Sequence, residues 1–112
     1  MKIYIAKILK RTEIKKDILK TYRNGITRMS HSTFAFDEVE AIEYYSTQEK
    51  AEQALKVLMK SIEEIDGIKW YRATGTVELL WPKNIQHRTD RKNIGEDREI
   101  LFMAILEEAE VA

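Results

Sequence analysis

Residues 17–29 read DILKTYRNGITRM, and the fold turns on whether they double back as two strands or run on as a helix. Asn24-Gly25 is a dipeptide that suits a type I′ turn, where both central residues need positive φ. Thr21, Tyr22, Ile26 and Thr27 flank it, and β-branched and aromatic residues favour extended backbone. A helix stays open as the alternative: Ile14, Ile18 and Tyr22 recur every fourth position, and Gly25 would then serve as a C-cap. The hairpin is the preferred reading.

Upstream, KIYIAKIL alternates imperfectly, is rich in isoleucine and tyrosine and lacks a helix cap, which predicts a strand over residues 2–10. Downstream, MSHST reads as a loose connection and FAFDEVEAIEYY as a strand that ends where a helix begins. Residues 46–66 carry the clearest signal. Ser46 and Glu49 have the spacing of a capping box, and Ala51, Ala54, Leu55, Leu58, Ile62 and Ile65 form one apolar stripe at intervals of three and four. Glu52 and Lys56 make a favourable i,i+4 pair, and Asp66-Gly67 stops the helix. IKWYRATGTVELLW then reads as extended, with Lys69, Tyr71, Ala73, Gly75, Val77, Leu79 and Trp81 on one face until Pro82 ends ladder pairing.

REILFMAILEEAEV, residues 98–111, could be a helix opened by Asp97, but its seven consecutive apolar residues leave no helical gap. A strand is preferred. Such a strand must be covered on both faces, and one helix covers one of them. A second chain, a helix over 12–23 or a wrapped N-terminal hairpin could cover the other. A homodimer through the exposed sheet face is the favoured solution. The expected architecture is a single α+β domain, residues 1–112, with a mostly antiparallel sheet of about four strands and the 46–66 helix packed on one face.

Net charge is zero, which gives no global field for nucleic acid or anionic lipid. The charge is nevertheless segregated: +7 over residues 1–33, −6 over 34–66, +4 over 67–92 and −5 over 93–112. Basic segments paired with the acidic segments that follow them would favour antiparallel register. The chain has no cysteine, hence no disulfide, thiolate nucleophile or cysteine-type zinc site. The longest apolar run is too short to span a bilayer, and the N-terminus lacks a signal-peptide core, so a cytoplasmic protein is expected.

No catalytic or cofactor signature emerges. Gly25, Gly67, Gly75 and Gly95 are isolated, which excludes a phosphate-binding or dinucleotide fingerprint. Ser30-His31-Ser32 are immediate neighbours that point to opposite sides of an extended chain. His31 and His87 lack a second imidazole at metal-ligand spacing. Asp37, Glu38, Glu40 and Glu43 could hold a hard cation, with Glu38 and Glu40 on one side of a strand, but cross-strand pairing with the first basic block explains them as well. The polar stretch from Lys83 to Asp97 reads as a long loop, and its tip is the candidate contact region: Lys83, Asn84, Gln86, His87, Arg88, Arg91 and Lys92, with Trp81 at its base as a stacking platform.

The stretch IEYYSTQEKAEQAL, around residues 41–54, resembles the strand-to-helix turn of small uncharacterised α+β proteins of phages and mobile elements, where a Phe/Tyr-x-Ser/Thr-x-x-x-Ala pattern opens a single helix. That resemblance implies an accessory protein acting by contact on a host or defence factor, and it brings no catalytic residues. The leading expectation is therefore a non-enzymatic interaction protein without cofactor or metal, self-association as a homodimer being one of its contacts. A nucleic-acid module using Lys83, Arg88, Arg91 and Lys92 is the alternative, and a small metal- or ligand-binding protein the third.

Overall fold

The structure, a computed structural model, describes residues 1–74 and 81–111; the side chains at positions 18, 20, 30 and 31 lie outside that description. It is an α+β fold with the order β1 (Lys2–Thr21), β2 (Thr27–Tyr45), α1 (Gln48–Asp66), β3 (Trp70–Arg72), β4 (Ile85–Thr89), β5 (Lys92–Gly95) and β6 (Arg98–Glu110). The strands form one antiparallel sheet in the order β2-β1-β6-β4-β3, with β5 also paired to β6. Among the described residues six strands, rather than about four, make up the sheet.

Two of the extra strands lie where the sequence reads as a loop between Lys83 and Asp97. Ile85, His87 and Arg88 are half-buried, and a register shift between Ile85 and His87 interrupts the strand, so no simple period-2 pattern marks it. Thr89 is fully buried where β4 gives way to β5. Its hydroxyl accepts from the Phe102 N–H (2.9 Å) and donates to the Asp90 carbonyl (3.1 Å), supplying the partner that the interrupted ladder lacks.

Residues 12–23 are strand, as preferred, and β1 runs through them well beyond residue 10. MSHST is not a connection but part of β2. The turn closes through Tyr22 N–H to the Ile26 carbonyl (2.8 Å), but it is not the expected type I′: Gly25 is at φ 79° while Asn24 is not at positive φ, Gly25 N–H donating to the Tyr22 carbonyl and Asn24 Oδ1 accepting from the Ile26 N–H. Residues 98–110 are also strand, as preferred. Of the extended segment after the helix only Trp70–Arg72 is strand within the described residues; Gly75, Val77 and Leu79 fall outside them.

Helix α1 begins one residue later than the capping box implies. Thr47, not Ser46, is the N-cap, its hydroxyl accepting from Lys50 N–H, because Thr47 is the residue with extended backbone preceding the first helical turn. Gly67 closes the helix in the left-handed region and donates its N–H to the Glu63 carbonyl. Leu55 and Ile62 pack onto Ala6, Ile8, Ile100, Phe102 and Ala104, and Ala51 is buried as well. Ile65 does not join that face. It is exposed. Trp70 packs against the same core and donates its Nε1–H to the Met59 carbonyl (2.9 Å).

On the opposite sheet face Leu101, Met103 and Ile105 are also buried. Trp81 lies there, buried, with the Arg88 guanidinium 5.0 Å from its ring centroid; Arg88 pairs with Met103 and so points to the same side. The second face of β6 is thus covered within one chain. Among the described residues no helix is long and apolar enough to cross a membrane.

β6 pairs with β1 only from Lys2 to Ile14, whereas β2 follows β1 to Thr21. Residues 15–33 therefore leave the sheet as a two-stranded arm of roughly 20 Å at about 3.3 Å per residue. The radius of gyration is 18.1 Å and the longest dimension 62 Å, whereas a compact chain of this length has a radius near 13 Å.

Candidate contact surface

The cations from Lys83 to Lys92 do not form one patch. Lys83 and Asn84 occupy an exposed turn, and Gln86 is exposed on β4. Arg88 is stacked on Trp81. Arg91 forms a two-pronged ion pair with Glu13 (2.8 and 3.3 Å) across β6, and Lys92 Nζ donates to the Asp66 carbonyl at the end of α1. His87 is half-buried, its Nδ1 without a hydrogen-bond partner among the described residues. Burial pushes its pKa below the usual range, and the nearby Arg72 charge pushes it the same way. Trp81 is a core residue whose ring is already occupied by Arg88.

The acidic residues of β2 are likewise split. Arg11, itself buried, is held by Asp37 through two hydrogen bonds (2.7 and 2.9 Å). Glu43 accepts from the Tyr45 hydroxyl, a bond that raises the tyrosine pKa. A register shift between Ile8 and Leu9 makes Glu40 an extra residue, so the regular two-residue repeat does not run from Glu38 through Glu40. Among the described residues no group of three or more His, Asp or Glu side chains could hold a metal ion. The acids of β6 meet the lysines of β1, as Lys2–Glu108, Lys7–Glu107 and Lys15–Glu99, so the first basic block serves both the second and the fourth charge blocks.

The depressions in the surface are open. One of about 410 Å³ is bounded by Tyr4, Gln48, Asn84, Gln86 and Leu106 to Glu108, with no nucleophile and base in contact.

The long β1–β2 hairpin has a different character. Among the described residues nine of the fifteen large apolar side chains left exposed lie between Leu19 and Tyr44, so this element, rather than the 83–92 segment, gathers the apolar surface. β2 is an edge strand of 19 residues. Its exposed side chains include Met29, Phe34, Phe36, Val39, Ile42 and Tyr44. Residues 15–33 carry five Lys/Arg against one acid, and Arg23 and Arg28 have no ion-pair partner among the described residues. Sequence reading missed this surface because it took MSHST for a break. The signal was the run of Thr, Phe and His residues from Thr27 to Phe36, which suits extended backbone throughout.

Comparison with known proteins gives no match to a family model, a curated protein or a solved structure.

Proposed function

We propose that this chain works by macromolecular contact, not catalysis, and that the β1–β2 hairpin is the contacting element. The observation that carries the reading is the row of exposed apolar side chains along a long, unpaired edge strand. Such a strand is a template for pairing with another chain, and contiguous exposed apolar surface marks interaction sites. A two-stranded arm is at best marginally stable by itself in water, so a partner that covers it also orders it. The phage-type resemblance of the helix entry fits an accessory protein directed at a host or defence factor.

A nucleic-acid reading draws on the arm's net charge rather than on the 83–92 segment, where Arg88, Arg91 and Lys92 are engaged within the chain. The apolar residues that alternate with those cations favour a protein surface instead.

Cross-linking with a lysine-reactive reagent in cells that produce the protein, mapped by mass spectrometry, tests the reading. Adducts to protein, self or foreign, should map to residues 15–45 and vanish when residues 16–32 are replaced by Asn-Gly. Adducts confined to other elements, or unchanged by the truncation, would contradict it.

A further inference from the structure

Resting on the contact reading, we infer that the occupant of the β2 edge is a second copy of this chain, paired antiparallel about a two-fold axis at Phe36.

The backbone sets which groups are free. Tyr22 bonds to Ile26 across the turn and Lys15 bonds to the Asp97 carbonyl on the β6 side, so even residues of β1 bond to β2 and odd ones to β6. Phe36, opposite Thr12, therefore directs its amide and carbonyl toward β1, while those of Thr33, Ala35 and Asp37 point to the open edge. Phe36 is also the middle residue of β2. A two-fold there makes Ala35 and Asp37 of the two copies a hydrogen-bonded pair and leaves the two Phe36 residues facing each other as a non-hydrogen-bonded pair. Cα atoms in such a pair approach to about 4.5 Å, the closest cross-strand spacing.

Charge and face agree with this pairing. Charged side chains ordinarily deter edge pairing. Residues 27–35 carry one arginine and no acid, whereas residues 37–45 carry four acids and no base. Antiparallel pairing lays each half on the opposite half of the other copy. The arm, net +4 over residues 15–33, then runs beside the net −4 segment, whose Glu38 and Glu40 have no ion-pair partner among the described residues. Allowing for the extra residue Glu40, Arg28 comes alongside Glu43 on the helix side of the sheet. Met29 comes alongside Ile42 and Tyr44 on the other side. A parallel arrangement would set acid against acid. The two-fold is perpendicular to the sheet, so both helices stay on one face and the sheet continues across both copies.

The cysteine-free chain makes the test direct. Phe36→Cys should form a disulfide-linked dimer under mild oxidation, while Lys50→Cys, on the exposed side of α1, should not. Ala35→Pro removes an outward N–H and places the ring in the junction without costing a β1–β2 bond. It should halve the mass seen by light scattering and leave the circular dichroism unchanged. A monomeric wild type at high concentration, a Phe36→Cys chain that cross-links no faster than Lys50→Cys, or an Ala35→Pro chain of wild-type mass overturns the inference. So does a monomer that binds a DNA duplex through the arm with steep salt dependence. If the chain is monomeric but foreign adducts still map to residues 15–45, self-pairing falls and the contact reading stands.

Discussion

Single side chains decide why the polar 83–97 segment is structured. Thr89 replaces a missing ladder partner, and Arg91 neutralises Glu13, a carboxylate with 9 % of its surface exposed. Removing that arginine leaves a nearly buried charge with less compensation. Arg91→Ala should therefore lower stability by about 1–3 kcal/mol in urea melts, whereas a purely surface cation would change it by under about 0.5 kcal/mol. His87 gives a pH signature. Its folded pKa is depressed, so as pH falls through about 6.5 the unfolded chain takes up a proton that the folded chain does not. Stability attributable to neutral His87 is complete above that pH and is lost below it. Melts of wild type and His87→Gln between pH 8 and 5 should show the wild type losing ground on the acid side; a difference flat with pH would sink the argument. None of these roles was legible in the sequence, where Thr89 looks like an ordinary loop residue and His87 and Arg91 like parts of an exposed contact loop. Their partners Phe102, Glu13 and Arg72 lie 13 to 78 positions away.

At the level of elements, local patterns were informative wherever one physical cause dominated. The Asn24-Gly25 turn, the α1 stripe and the strand character of residues 98–110 follow from turn chemistry, helical period and an unbroken apolar run. The helix start is a contest between adjacent hydroxyls, Ser46 and Thr47, that only backbone geometry resolves. Thr47→Ala should cost about 1 kcal/mol in thermal or urea melts and Ser46→Ala close to nothing; equal effects would restore the capping box. Strand β4 was hidden because its half-buried and buried positions include the polar His87, Arg88 and Thr89, and β5 because all four of its residues are exposed. The length of β1 and β2 was hidden for another reason. Among the described residues no third strand supports them beyond Ile14, so Leu19, Met29 and Phe34 stay exposed and leave no one-sided pattern to read.

For the whole molecule, zero net charge conceals a separation that the fold turns into shape. A basic arm projects past the sheet, and an acidic half-strand lies at the other end of the same edge. The sequence argument for self-association rested on an uncovered face of β6. That face is closed by the chain itself, and the argument moves to the open edge of β2, where an exposed apolar row and opposed half-strand charges coincide. The most direct measurement is amide hydrogen exchange at Thr33, Ala35 and Asp37, whose N–H groups have no strand beyond them in a single chain. Protection of these three amides that rises with protein concentration and disappears in Ala35→Pro is the expected result. Fast exchange at every concentration, with Phe34 and Phe36 protected by their bonds to β1, would show that no second strand adds to this edge.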